Sequence, residues 1–399
     1  MTRWPTATIG SACTVFSGGT PSKGNAAYWR GTIPWVSAKD LKADRIFDAE
    51  LHISQQACDE SAAKMAPVGS LLMLVRGMGL ANGIQVGEVT APVAFNQDLR
   101  AIVPPPGVDS RFLLLALRHR LADGGKGVLS SAAHGTLKID ADALRQVEFP
   151  VPPPHEQRRI VAILDEAFAG IATAKANAEK SLQNAREIFE SRLRSLVNEE
   201  AAGSDRKTLR EIAIDFGRGK SKHRPRNNPK LYGGLYPFIQ TGDVRGSDHL
   251  ITDFAQTYSD AGLAQSKLWP KGTLCITIAA NIAETGVLGF DACFPDSVIG
   301  VVVDERQTSS KYLEYMLQTV KAELKAKGKG SAQDNINLAT FENERFPFPD
   351  LGAQARIVES LDALATEIQR LEATYANKLA ALDELKRSLL HQAFTGGLS

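Results

Sequence analysis

Apolar residues recur in steps of three and four along two long stretches of the chain. The first runs through Ile160, Leu164, Phe168, Ile171, Ala174, Ala178, Leu182, Ala185, Phe189, Leu193 and Leu196. The second runs through Ile357, Leu361, Leu364, Ile368, Leu371, Tyr375, Leu379, Leu382, Leu385 and Leu389. This spacing lays one stripe along an α-helix, and its persistence over about five heptads predicts a coiled-coil seam. At ~1.5 Å per residue, ~40 residues extend roughly 60 Å, too long a stripe to bury within a small domain, so the two helices are expected to pair. The segments preceding them read differently. TIPWVSAKDL, PVGSLLMLVRG and APVAFNQDLRAIVPPP are short apolar runs punctuated by Gly and Pro, the pattern of strands and turns, and residues 112–120 predict a short helix. YPFIQTGDV, PKGTLCITIAA, DSVIGVVVD and the helical YLEYMLQTVKAELKAK repeat that order.

The repetition is internal and in register. FPVPPPHEQRRIVAILD (149–165) lies over FPFPDLGAQARIVESLD (346–362) with no gap, and Ile171 and Leu182 fall on Ile368 and Leu379. Upstream, SSAAHGTLKID (130–140) lies over KGSAQDNIN (329–337), Pro34-Trp35-Val36 over Pro237-Phe238-Ile239, Asp40 over Asp243, and Pro67 and Gly69 over Pro270 and Gly272. Such a chain is two copies of one unit. The expected fold is α+β: two mixed α/β domains, β-rich with short helices, at 1–150 and 201–349, separated by long helical segments at 151–200 and 350–399. Two equal units pack most simply about a pseudo-twofold axis, which makes the helices an antiparallel coiled coil and carries the domains to opposite ends.

Composition narrows the chemistry. The net charge of +1 excludes a simple basic DNA-coating protein, but KSKHRPR (220–226) and KAKGKG (325–330) are local basic clusters. The four cysteines form no CxxC pair and the histidines no HxxxH, so neither a zinc site nor a disulfide framework is expected. No apolar run approaches ~18 to 20 residues and MTRWPTATIGS lacks a signal-peptide h-region, which makes a cytoplasmic, metal-free protein the expectation. GRGKS (217–221) has Ile214 where a phosphate-binding loop needs its first glycine, and GMGLANG (77–83) has the wrong spacing for GxGxxG. Pro295-Asp296 with Glu323 and Lys325 is a loose match to a PD…ExK nuclease, which leaves a nuclease fused to two DNA-binding domains as the alternative. There is no [ND]PP[YF] tetrapeptide or FxGxG loop, the signature of an amino-methyltransferase.

Three stretches carry a family resemblance. FSGGTPS (16–22) with YWRGTIPWVSAKDL (28–41), PVGSLLMLVRGMGLANG with FNQDLRAI, and FPVPPPHEQRRIVAILD with the C-terminal LKRSLLHQAFTGGL together resemble the specificity (S) subunit of type I restriction-modification systems over essentially the whole chain. The second copy departs from the pattern at Ala353, where the first has Glu156, and in FGRGKSKHRPR, where the first has FSGGTPSKG. The resemblance implies two target-recognition domains, each reading one half of a bipartite double-stranded DNA site, and helices that set the gap. It also implies two methyltransferase (M) subunits and restriction/translocase (R) subunits as partners. Those partners would use S-adenosylmethionine, ATP and Mg, with no cofactor, metal or catalytic residue in this chain.

Base edges are read by Arg, Lys, Asn and Gln, and phosphates are gripped by Lys, Arg, Ser and Thr on loops. The DNA-binding candidates in the first domain are Ser17, Thr20, Lys23, Lys39, Arg76, Asn82, Asn96, Gln97, Lys126 and His134. In the second they are Lys220, Ser221, Lys222, Arg224, Arg226, Gln240, Thr241, Arg245, Asn281, Lys327 and Lys329. Asp40 and Asp243 are expected to hold loops. Glu156, Gln157, Arg158, Arg159, Gln354 and Arg356, at the helix starts, are the candidates for the subunit interface.

Overall fold

The computed structural model describes residues 4–122, 127–131, 136–201, 203–223, 225–279, 282–328, 338–395 and 397, without the side chains of 200, 201, 322–328 and 338–340. The chain divides into two compact units: Met1–Ala178 with Ala376–Ser399, and Glu179–Tyr375. Both divisions fall inside a long helix.

The first unit contains β1 (Thr14–Ser17), β2 (Ile33–Val36), β3 (Arg45–Ile46), β4 (His52–Ile53), β5 (Lys64–Ala66), β6 (Leu71–Leu74), β7 (Val86–Val89), β8 (Val93–Phe95) and β9 (Leu99–Val103). The second contains β10 (Ala213–Arg218), β11 (Tyr232–Phe238), β12 (Leu250–Ile251), β13 (Gln256–Tyr258), β14 (Leu268–Trp269), β15 (Leu274–Thr277), β16 (Thr285–Leu288), β17 (Ala292–Cys293) and β18 (Val298–Val303). Each unit builds a five-stranded and a four-stranded sheet. The orders are β1-β9-β6-β7-β3 and β4-β2-β8-β5 in one unit, and β10-β18-β15-β16-β12 and β13-β11-β17-β14 in the other. The match is strand for strand, and the parallel pairs β2/β8 and β3/β7 recur as β11/β17 and β12/β16. The central strands β6 and β15 are buried along their whole length, so they read as continuous apolar runs rather than alternating ones. Each is entered by a tight turn whose glycine (Gly69, φ 83°; Gly272, φ 85°) occupies the left-handed region that side chains disfavour.

A helix packs on each five-stranded sheet: α1 (Ser110–Arg120), with Asp109 capping its first turn, and α3 (Ser310–Gly328). The long helices are α2 (Pro154–Ala201), begun by the proline run, and α4 (Leu351–Thr395), capped where Ala353 N donates to Asp350 Oδ1 (2.9 Å). In the first unit Ile160 and Leu164 share a core with Leu390, Ala393 and Phe394, and Lys175 reaches Asp383. Rising numbers on α2 thus meet falling numbers on α4. In the second unit Arg186 pairs with Glu372, while Leu193 and Val197 share a core with Ile357 and Leu361. The pairing is antiparallel in each unit. On α2 the buried seam includes Leu164, Ile171, Ala178 and Ala185, a step of seven. One seam position is corrected: Leu385 is 46% exposed, and Lys386 lies over the Phe168 ring (5.0 Å) in its neighbourhood. A lysine stem covers apolar surface while its ammonium stays wet, so the apolar pattern alone misplaces the stripe there.

Candidate nucleic-acid interface

In the first unit the glycine loop after β1, the turn between β8 and β9, and the end of β6 meet at one edge of the sheets. A Cβ on Gly18 would lie 2.1 Å from Phe95 O, so only glycine lets the loop run this close to β8. Gly19 N donates to Phe95 O (3.0 Å), and Trp35 Nε1 donates to Gly19 O (3.0 Å). Thr20 Oγ1 then donates to Gln97 Oε1, and Arg100 Nη1 donates to Ser17 Oγ (3.0 Å) and Gln97 O (3.1 Å). Val75 N donates to Asp98 O (2.9 Å) and Asn96 N to Val36 O (3.0 Å), which brings the Arg76 and Ser37–Lys39 segments to the same turn. Ser17, Thr20 and Gln97 are therefore gathered at this turn, with exposed Arg76 following Val75 and exposed Lys39 three residues beyond Val36. Lys23 and Asn82 are exposed on the flanking loop and 3₁₀ turn.

The second unit repeats the construction with other residues. Gly219 stands where Gly18 stands, its Cβ position 2.1 Å from Phe294 O. Its basic loop is clasped by an ion pair: Arg226 Nη2 donates to both oxygens of Asp296 (2.8 and 2.9 Å). Lys220 and Lys222 are exposed on this loop, and Tyr232 Oη donates to Arg226 O (2.6 Å). Gln240 caps the short helix Thr241–Gly246, which carries Thr241 and exposed Arg245. Asp40 Oδ2 accepts from Ser37 N (2.8 Å) and Asp243 Oδ2 from Gln240 N (2.7 Å), so both aspartates are spent on holding their loops.

Several expectations are corrected. Asn96 is buried, and its Oδ1 accepts from Asp98 N (3.1 Å), shaping the turn that displays Gln97. Ser221 is buried against the Tyr258 hydroxyl (3.4 Å). Gln157 and Gln354, expected at a subunit interface, are buried within their own units. Gln157 Nε2 donates to Gly107 O (2.9 Å) and Pro152 O (2.8 Å), and its Oε1 accepts from Asp109 N (2.8 Å). Gln354 Nε2 donates to Gln307 O (2.9 Å) and Pro349 O (2.8 Å), and its Oε1 accepts from Thr308 Oγ1 (2.8 Å). A polar side chain out of water must satisfy its donors and acceptors internally, and these two do. Arg158 and Arg356 are exposed, and Glu156 accepts from Arg159 Nε (3.0 Å). Lys126, His134, Arg224, Asn281 and Lys329 lie outside the described residues, as does the side chain of Lys327.

Sequence reasoning passed over Arg100, whose position three residues after Gln97 was the available signal. It met Asp296 only as a nuclease candidate. Among the described residues, no group of three or more His, Cys, Asp or Glu is placed to hold a metal ion, and no helix is long and apolar enough to cross a membrane.

Comparison with known proteins agrees with the duplicated architecture. The family model "Type I restriction modification DNA specificity domain" matches residues 1–183 and again 205–381. The Escherichia coli type I restriction enzyme EcoR124I/EcoR124II specificity subunit is 31% identical over 163 residues, a match that spans 40% of this chain and only 39% of that relative. A solved chain from a study of complex assembly and conformational transition of the type I R-M system has the same fold (TM-score 0.78, 19% identity, 99% of this chain and 98% of that one). So has the HsdS subunit from Thermoanaerobacter tengcongensis (TM-score 0.60, 18% identity, 99% and 97%). The chain belongs to the type I restriction modification DNA specificity domain family, which it matches twice.

Proposed function

We propose that this chain is the DNA-reading subunit of a type I restriction-modification complex, each unit recognising one half of a bipartite double-stranded site. The observation that carries the reading is the contrast between scaffold and edge. Nine strands recur in the same order in both units, while the loops they hold at the clasped edge differ: Thr20 with Gln97 in one, Arg226 with Asp296 in the other. A common frame with separately chosen loop residues is what reading two different half-sites requires. On this reading Lys23, Lys39, Arg76, Lys220 and Lys222 supply base and phosphate contacts. The exposed parts of the long helices, including Glu156, Arg158, Arg159 and Arg356, dock two methyltransferase subunits, and restriction subunits join that assembly. S-adenosylmethionine, ATP and Mg act in the partners, and this chain performs no catalysis.

The test is reconstitution. The homogeneous chain should transfer no methyl group from S-adenosylmethionine to DNA and should cut none, and adding methyltransferase subunits should give sequence-dependent methylation. Methyl transfer or cleavage by the chain alone would overturn the assignment.

A further inference from the structure

Strand β11 does not run evenly along its neighbour. Tyr232 and Tyr236 both stand opposite Tyr258, so Gly233, Gly234 and Leu235 bulge out of the ladder. Gly233 has φ 81°, and a Cβ on Gly234 would lie 2.5 Å from Tyr258 O. The backbone is thus pressed against β13 while the next side chain is thrown outward: Leu235 is 91% exposed. A leucine so placed adds nothing to the core, and exposing it to water is unfavourable. The bulge is tied to the basic loop through Tyr232 Oη and Arg226 O.

The first unit shows the same close glycine approach, without the bulge and with another residue after the glycine. A Cβ on Gly31 would lie 2.0 Å from Ile53 O, Ile33 stands opposite Ile53 as Tyr236 stands opposite Tyr258, and Thr32 between them is exposed. Thr32 and Leu235 therefore occupy one structural position, filled differently in the two readers.

We propose that this position determines base specificity in each unit, and that Leu235 makes an apolar contact with a thymine C5-methyl in the half-site read by the second unit. The inference rests on the DNA-reading function proposed above. The partner chemistry follows from the surroundings. The bulge that presents the leucine is bonded through Tyr232 to the loop that carries exposed Lys220, Lys222 and Arg226, charges suited to phosphates, and the thymine methyl is the apolar feature of the major-groove edge. Thr32 offers a hydroxyl beside a methyl at the same place, so the first unit has a hydrogen-bonding group there that leucine lacks.

The chain assembled with its methyltransferase subunits, as wild type, Leu235→Ala and Leu235→Thr, would be assayed by mapping methylated sites. One thymine position of the second half-site should lose discrimination roughly three- to tenfold, with the first half-site and the thermal unfolding of the chain unchanged. Uracil in place of that thymine lacks the methyl and should reduce wild-type methylation to the Leu235→Ala level while leaving Leu235→Ala unaffected. An unchanged motif, equal weakening of both half-sites, or indifference of the wild type to uracil would overturn the proposal. A wild-type complex with no two-part motif would instead overturn the underlying function.

Discussion

Arg226 is placed to hold a loop and to present charge at once. Its guanidinium is bonded to Asp296 yet about half exposed, so it pins the basic loop and still presents charge to solvent. Replacing it by alanine should weaken binding to the second half-site and leave the preference of the first intact. If the side chain also touches a phosphate, the slope of log affinity against log salt falls by about one; if it only pins the loop, affinity falls at constant slope. Unchanged affinity would remove Arg226 from the interface. His249 poses a separate question of pH. It sits in the left-handed region (φ 65°) with Nδ1 2.9 Å from Glu314 Oε2, and Glu314 is almost fully buried. The hydrogen bond to Glu314 raises the His249 pKa above its ordinary value against the opposing effect of burial, with Asp248 and Asp362 adding to the rise. A raised folded-state value means that the stabilisation is complete below the unfolded pKa of about 6.5 and is lost as pH climbs through the higher folded value. Thermal unfolding of the wild type should therefore shift to lower temperature as pH rises through that window, and His249→Gln should flatten the trend. Equal slopes for both proteins would contradict it. Neither the clasp nor this half-buried pair was legible in the chain, because both join residues about 65 to 70 positions apart that no local pattern connects.

At the scale of elements, the start of each long helix is locked twice. Gln157 and Gln354 bond the backbone just before their own helix and the loop preceding α1 or α3. One turn or more further on, Asp165 takes Arg111 and Asp362 takes Lys311. These contacts fix the angle at which each sheet domain leaves its helix. Gln354→Leu keeps similar bulk but orphans buried carbonyls, and should destabilise the second unit by about 1–3 kcal/mol in chemical denaturation; a cost under a few tenths would deny the lock. The repeated hinge wording is plain in the sequence, but the direction its glutamines face is not. A polar residue beside a helix start looks the same from sequence whether it faces a partner or its own loop, and only the fold decides. The apolar stripe was legible for the opposite reason, since a seven-residue step needs no tertiary knowledge; it failed at Leu385, where Lys386 shares the covering of the seam. If the helices space the two readers, inserting four residues after Ala178 and four after Tyr375 adds ~6 Å. At ~3.4 Å per base pair the preferred gap should then grow by one or two base pairs with both half-sites retained. Full activity with an unchanged gap would make the helices a tether.

For the whole molecule, duplication is the organising fact. Nine strands, two sheets, a sheet-packed helix and a locked long helix occur twice in the same order. The framework could be read from the sequence because burial constrains residue type at β6 and β15 and geometry demands glycine at residues 69 and 272. The loop edge could not, since burial does not constrain the type of an exposed loop residue. Two copies with different edge loops should read two separate half-sites. The most direct test is to map every methylated position on random-sequence DNA after incubation with the chain, its methyltransferase subunits and S-adenosylmethionine. The expected result is two short specific elements of different sequence separated by a gap of fixed length and free composition. A single contiguous motif, or methylation without sequence preference, would contradict it.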